Sequence, residues 1–175
     1  MIKLGDLIKE DGLIGNGVIL KRKTVRAIII NENNEVQMLY SKLFDDYTFP
    51  GGGIKKNESD IEALKRELHE ELGALHVEII KPFGYIEELR YGLKETDDIY
   101  LQTSYYYLCK IKEFTTPNLI GRELQHGLQT KWVTIDEAIS KNESVLLDET
   151  HQKKGLKTVL LRENTVLKKL KENQL

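Results

Sequence analysis

The segment GGGIKKNESDIEALKRELHEELGA, residues 51–74, opens with three glycines and continues as a strongly helical run. Asn57 and Ser59 are good N-cap residues and Gly73 is a natural C-terminal stop, so we predict a helix from near 57–59 to about Leu72. At about 100° per residue, its apolar side chains share one face that should pack on a core. They are Ile61, Leu64, Leu68 and Leu72.

Three carboxylates lie beside that apolar face. Glu67, Glu70 and Glu71 are related as i, i+3 and i+4, so they share one face of the helix, next to the apolar one. Like charges at this spacing destabilise an exposed helix by a few tenths of a kcal/mol, and by more when they are desolvated. One explanation is a divalent cation such as Mg²⁺, which takes oxygen ligands. The other is an ordinary solvated acidic face.

Composition limits the class of protein. The chain has 175 residues, which fits one domain, and its formal net charge is −2, so we expect no stable complex with nucleic acid. Its single cysteine, Cys109, cannot form an intrachain disulfide, which favours a reducing compartment. No segment has the length of apolar sequence that a signal peptide or a membrane helix requires. We therefore predict a cytoplasmic protein without a membrane association.

Strand patterns lie on both sides of the central helix, which predicts an α/β fold with helices against a mixed sheet. The candidate strands are VRAIII (25–30), EVQMLYS (35–41), YTF (47–49), and residues 76–89, 99–111 and 130–135. GLIGNGVIL (12–20) reads as a hairpin, and the end of the chain as a helix with an apolar stripe. We predict one domain over 1–175, with a core at about 24–142, an appendage at 1–23 and a helical extension at 150–172.

The central segment matches a known motif at every position. Gly52, Glu58, Arg66, Glu67, Leu68, Glu70, Glu71, Gly73 and Ala74 fit G-x5-E-x7-R-E-U-x-E-E-x-G-U, in which U is apolar. This motif is the Nudix box, and the sequence resembles Nudix (MutT-like) hydrolases. The resemblance extends over roughly residues 25–140. It implies the Nudix fold, an α/β/α sandwich around a mixed β-sheet.

The resemblance also implies an activity. Nudix hydrolases cleave a nucleoside diphosphate linked to another moiety by attack of water on a phosphorus, with Mg²⁺ or Mn²⁺. A non-catalytic nucleotide-binding regulatory module on the same fold is the alternative. An isomerase of isopentenyl diphosphate on this fold would need a catalytic cysteine, and Cys109 lies in a strand-like segment instead.

Residue roles follow from the same resemblance. Glu67, Glu70 and Glu71, with the carbonyl of Gly51, would bind the metal, and Glu70 is alternatively the group that deprotonates water. Arg66 would hold a box glutamate through its planar guanidinium, or else form a surface pair with Glu62. The supporting positions of the motif are Gly52, Gly53, Glu58 and Gly73.

Other contacts lie outside the motif. Many relatives take the general base from a loop before a tryptophan-containing strand, here residues 118–132, where Glu123 is the first candidate and His126 the second. Arg26 and Lys42 are candidates to bind phosphate, and Tyr91 to stack on a base. The expected partner is a small nucleotide-type substrate, and the C-terminal stripe allows a homodimer.

Overall fold

A computed structural model describes residues 1–14, 19–92, 98–119, 122–149 and 155–173, without the side chains of residues 122 and 123. Its strands are β1 (Ile8–Lys9), β2 (Ile19–Ile28), β3 (Val36–Ser41), β4 (Asp46–Thr48), β5 (Ala74–Tyr91), β6 (Ile99–Phe114) and β7 (Leu128–Val133). Its helices are α1 (Asp60–Leu72), α2 (Arg122–His126), α3 (Ile135–Leu147) and α4 (Leu156–Glu172).

The strands form two sheets. One is mixed, with the order β1-β5-β6-β2, in which β5 and β6 are antiparallel while β1 pairs in parallel with β5 and β2 with β6. The other is antiparallel, with the order β4-β3-β7. A turn at residues 31–34 connects β2 to β3, and Gln37 N donates to Ile29 O across it. This turn lies between the predicted strands 25–30 and 35–41.

The helices cover both faces of this β structure. Successive residues of β2 alternate between the faces, so that Ala27 packs in the cluster that includes α1, and Ile28 in the cluster that includes α3 and α4. The result is an α/β/α arrangement, which agrees with the predicted fold class.

Helix α1 has the predicted bounds because its ends are specified locally. Ser59 is the N-cap and forms a capping box with Glu62, whose carboxylate accepts from Ser59 N and Oγ. Gly73 ends the helix in the left-handed region, with φ of 67°. Glu62 thus binds the N-cap residue Ser59. Arg66 forms its ion pairs with Glu58, Glu67 and Glu70 instead.

Both ends of the chain pack on the central part. Strand β1 pairs with Glu88 and Leu89 of β5, and the apolar stripe of α4 is buried. That stripe is covered within the chain, so it does not support the predicted homodimer, which stays a prediction. The turn of the predicted 12–20 hairpin, at 15–18, lies outside the described residues. Among the helices that the structure describes, none has the length and apolar character needed to cross a membrane.

Candidate active site

The glycine loop lies along the free edge of β2. Val25 N donates to Gly52 O and Ala27 N donates to Pro50 O, both at 2.9 Å. Gly51 has a φ of +128°, and a Cβ there would lie 2.2 Å from Val25 O. A side chain at position 51 would therefore meet both backbone strain and a backbone atom.

Glycine at position 52 makes room for a carboxylate. A Cβ on Gly52 would lie 2.5 Å from Glu67 Cδ and Oε1. The carboxylate of Glu67 therefore lies directly against the backbone of the glycine loop. Since Glu67 is only 8% exposed, this carboxylate is largely shielded from solvent.

Arg66 compensates much of the acidic charge. Its Nε and Nη2 donate to the two oxygens of Glu58 at 2.7 and 2.9 Å, and its Nη1 donates to Glu67 at 2.7 Å and to Glu70 at 3.3 Å. Nη2 also donates to Gly53 O at 3.0 Å, which ties the helix to the loop. Hydrogen bonds from Arg66 and from Lys55 N lower the pKa of Glu58 to about 2, so this carboxylate stays ionised at any physiological pH.

Glu71 contacts the same loop from the next turn of α1. It is 5% exposed, and its Oε2 accepts from Gly51 N at 2.6 Å. Arg26 contacts the loop from the other side, because its Nη1 donates to Phe49 O at 2.9 Å and also to Gly51 O. The predicted phosphate contact, Arg26, and the predicted carbonyl ligand, Gly51, are thus in contact with each other.

The chemistry of these groups fits a hard divalent cation. Carboxylate and carbonyl oxygens are the ligands that Mg²⁺ and Mn²⁺ prefer, and the Gly52 position leaves room for Glu67 where a Cβ would overlap it. Within the described residues, no three acidic, histidine or cysteine side chains converge on one point. The reason is visible in the contacts: Arg66 draws Glu67 and Glu70 to itself, while Glu71 turns to the loop. The metal-binding roles therefore stay predictions.

A cavity of about 260 Å³ joins this acidic centre to a cationic wall. Its lining includes Glu67, Glu71 and the three glycines. The cationic side chains that line it are Arg22, Arg26, Arg90 and Arg162. Its apolar lining comes from Leu39, Phe44, Leu128, Leu156 and Val159. The cavity thus brings cationic, acidic and apolar side chains together within one volume.

The family model described as NUDIX domain matches residues 20–155 of the chain. The chain belongs to the Nudix family. The predicted family and fold class are therefore confirmed, and the predicted hydrolase class agrees with this membership.

Two relatives with the same name align with about half of this chain. A protein named RNA pyrophosphohydrolase from a Nitratiruptor species is 36% identical over 99 residues, which are 52% of this chain and 64% of that protein. A protein of the same name from a Sulfurovum species is 35% identical over 100 residues, or 54% and 62% of the two chains. This chain thus matches less than two thirds of the length of either relative.

The MutT protein of Methanosarcina mazei Go1 has a similar solved structure. The TM-score is 0.55 at 16% identity, over 91% of this chain and 99% of the other. At this level of identity the likeness concerns the fold alone.

The remaining predicted residues differ in whether they line this cavity. His126 lines the cavity, with its ring 4.9 Å from that of Phe44. Lys42 is exposed, its stem lies beside Gly127, and it is not among the residues that line the cavity. The side chain of Glu123, in α2, lies outside the described residues. The proposed roles of these residues stay predictions.

Tyr91 lies away from the cavity in which it is predicted to bind substrate. Its hydroxyl accepts from Ile14 N at 3.0 Å and donates to Gly12 O at 3.4 Å, and its backbone N donates to Glu10 at 2.7 Å. It does not line the cavity of the Nudix box. In this conformation Tyr91 holds the N-terminal segment, and its contact with a base stays a prediction.

Sequence reasoning missed several polar residues that line the cavity: Asp46, Arg90, Gln102 and Arg162. All are nearly inaccessible to solvent. The sequence around Arg90 and Arg162 carries no signal of this burial, because Arg90 follows Glu87 and Glu88 and Arg162 precedes Glu163, as in an ordinary solvated segment. A charged residue is buried only when partners reach it, and the contact of Arg162 with Glu88 joins residues 74 positions apart.

Asp46 illustrates the electrostatic result of this burial. It is 2% exposed and lies near the charges of Glu163 and Asp45. Burial, followed by these two neighbouring carboxylates, raises its pKa to about 7. The folded state therefore favours the neutral carboxyl.

Replacing Asp46 by asparagine should remove this pH dependence. Between about pH 4 and the folded-state pKa of about 7, the folded state keeps a proton that the unfolded state has lost, so wild-type stability falls as pH rises through this window and levels off above it. The asparagine does not titrate, so the variant should gain about 4 kcal/mol of unfolding free energy over wild type at pH 8 and less than about 1 kcal/mol at pH 4. Urea unfolding at both pH values measures this difference.

The exposed Asp136, which pairs with Lys171, provides the control. Its replacement by asparagine should change stability equally little at both pH values. An equal effect of Asp46→Asn at pH 4 and pH 8 would contradict the assigned ionisation.

Proposed function

We propose that this chain is a metal-dependent pyrophosphohydrolase that cleaves a nucleoside diphosphate linked to another moiety, by attack of water on a phosphorus. The observation that carries this proposal is one cavity that brings together Glu67, Glu71, the glycine loop and the arginines beside that loop, Arg22 and Arg26. A pyrophosphate reacts slowly because its negative oxygens repel the nucleophile, and this cavity contains both cationic donors and the acidic centre of the Nudix box.

The cationic wall suits the phosphates of such a substrate. Arg22 lies beside the loop, with its Nη2 3.5 Å from the position of a Cβ on Gly53. Arg26 reaches the loop carbonyls from further along the same strand. Guanidinium groups bind phosphate oxygens bidentately, so these two arginines would orient the diphosphate against the loop.

The apolar lining suits the nucleoside. Phe44, Leu156 and Val159 come from the β3–β4 connection and from α4, whereas the glycine loop is bonded to β2 and α1. A flat base can pack against such side chains without sequence-specific hydrogen bonds. This division of the cavity would place the phosphates at the box and the base towards α4.

Glu67, Glu70, Glu71 and the carbonyl of Gly51 would hold Mg²⁺ or Mn²⁺, which when bound neutralises phosphate charge and lowers the pKa of a coordinated water. Arg66 Nη1 donates to both Glu67 and Glu70 and so holds these two carboxylates near each other. The proton of the attacking water would go to a carboxylate or an imidazole, for which Glu70, Glu123 and His126 are the candidates; of these, His126 is a described lining residue of the cavity.

The names of the relatives extend the substrate class to RNA. The phosphoanhydride bonds of an RNA lie at its 5′ end, so a 5′-triphosphorylated oligonucleotide presents the same group as a free nucleotide. With a net charge of −2, the chain would recognise that end without strong binding along the strand, in keeping with the expected absence of a stable nucleic-acid complex.

A non-catalytic nucleotide-binding module is the second candidate. It is favoured by the observation that Arg66 already compensates the box carboxylates, since a nucleotide could bind to such a site through the cationic wall without a cation. The intact Nudix box favours the enzyme instead.

A substrate panel distinguishes the two candidates and tests metal dependence. The panel contains nucleoside triphosphates, nucleotide sugars, dinucleoside polyphosphates and a 5′-triphosphorylated RNA oligonucleotide, each with Mg²⁺ or Mn²⁺. We expect release of a mononucleotide, pyrophosphate or phosphate from at least one class, and its loss when EDTA is present. No turnover of any member, together with a melting temperature raised by one nucleotide, would favour the binding module.

A further inference from the structure

A buried carboxylate of the C-terminal helix reaches the segment that leads into the glycine loop. Glu163, in α4, is fully buried, and its Oε2 accepts from Phe49 N at 2.9 Å. Phe49 is itself fully buried, with its ring edge-on to that of Tyr106 at 5.6 Å. The contact therefore joins α4 to the residue that precedes Pro50 and Gly51.

The backbone of residues 49–51 is held by charged side chains from three different elements. Glu163 of α4 binds Phe49 N, Arg26 of β2 binds Phe49 O and Gly51 O, and Glu71 of α1 binds Gly51 N. Hydrogen bonds to charged groups are stronger than neutral ones, and their directions fix the orientation of each peptide. Of these three side chains, only Glu71 belongs to the Nudix box.

Glu163 is in turn fixed by neighbouring buried charges. Its Oε1 accepts from Arg162 Nε at 2.9 Å and from Arg162 Nη2 at 2.5 Å. Arg162 Nη1 also donates to Glu88 Oε1 at 2.9 Å, to which Arg90 Nε donates at 2.6 Å. A buried ion pair is weak evidence for stability, because desolvation offsets much of the attraction. What this arrangement does provide is a carboxylate in one fixed orientation.

We propose that Glu163 is a positioning residue for the segment 49–51, through which α4 sets the geometry of the glycine loop. It does not touch the substrate. The inference deepens the proposed function and rests on it for its effect on turnover, whereas the contact with Phe49 is testable without any substrate.

Glu163→Gln is the informative substitution, because no orientation of the amide satisfies both partners. Either its NH₂ group faces the Phe49 N–H or it faces the Arg162 guanidinium, and both are donors. We expect amide hydrogen exchange at Phe49, followed by NMR relative to the amide of Leu68, to accelerate by about tenfold or more. We expect kcat to fall by about tenfold or more while KM changes by less than about threefold, since the loop geometry and not substrate affinity is altered.

Glu163→Asp keeps the buried charge and is therefore the second test variant, for use if Glu163→Gln does not fold. Its side chain is one methylene shorter, so it cannot span from Arg162 to Phe49 as glutamate does, and the same two changes are expected. Val166→Ala is the matched control, because Val166 is fully buried on the same helix and packs in the core cluster of α3 and α4. This control should lower the melting temperature while leaving kcat and the relative exchange of Phe49 at their wild-type values.

Accelerated exchange at Phe49 together with a selective loss of kcat supports the positioning role. The role is overturned if a folded Glu163 variant has the same relative amide exchange at Phe49 as Val166→Ala, or the same kcat. If the wild type turns over none of the panel substrates, the proposed function fails, and unchanged exchange at Phe49 would independently overturn the contact.

Discussion

Replacing Glu71 by glutamine is expected to lower kcat by about 10²–10⁴-fold while the chain stays folded. Glutamine has the same size and can still accept from Gly51 N, the bond that Glu71 Oε2 makes at 2.6 Å. What it removes is a negative charge beside Glu67 in a nearly solvent-free site, and that charge is what the proposed reaction uses. Steady-state kinetics on the substrate identified by the panel, with a thermal melt of each protein, measure the effect.

The control for this prediction is Glu143→Gln, at an exposed glutamate of α3 that pairs with Lys168. It should change neither kcat nor the melting temperature appreciably, since exposed ion pairs contribute little. Wild-type activity in Glu71→Gln would remove Glu71 from the reacting centre. Loss of the folded state would instead assign it a structural role at the loop.

Replacing Gly51 by alanine is expected to destabilise the fold by about 3–5 kcal/mol and to abolish turnover. The φ of +128° is strained for any other residue, and the added Cβ would lie 2.2 Å from Val25 O and 3.0 Å from Arg26 Cα. Because both obstacles are backbone atoms of β2, relief requires the loop to leave the strand edge. Urea unfolding and the same kinetic assay measure the two losses.

Gly53→Ala is the matched control two residues away. The Cβ there would meet only the Arg22 guanidinium, at 3.5 Å and beyond, which is ordinary van der Waals contact. We expect a change in stability of less than about 1 kcal/mol. If alanine at 51 were tolerated as well as alanine at 53, the position of the loop against β2 would be wrong.

The parts of the site that sequence predicts well are those built by near neighbours. Helix α1 has the expected bounds because Ser59, Glu62 and Gly73 specify its ends through local hydrogen bonds and a left-handed residue. Arg66 meets Glu70 because residues four positions apart on a helix adjoin each other. These contacts require no knowledge of the remainder of the chain.

The substrate contacts proposed outside the motif were less predictable. Arg26 lines the cavity, but Tyr91 holds the N-terminal segment and Lys42 is not among the residues lining the cavity. A cation or an aromatic ring in a strand or loop has no local partner that reveals which way it faces. Its contacts depend on which distant segment packs against it, as the N-terminal segment does at Tyr91.

The sequence by itself determined the Nudix box, the glycine loop and the amphipathic helix, because spacing along one helix and the end signals of that helix are local properties. Only the tertiary structure decided which distant groups complete the site. Glu163 meets Phe49 across 114 positions of the chain, and Arg162 meets Glu88 across 74. Such pairs form when α4 packs against the sheet, and a buried charge is stable there because folding supplies a partner that no local pattern specifies.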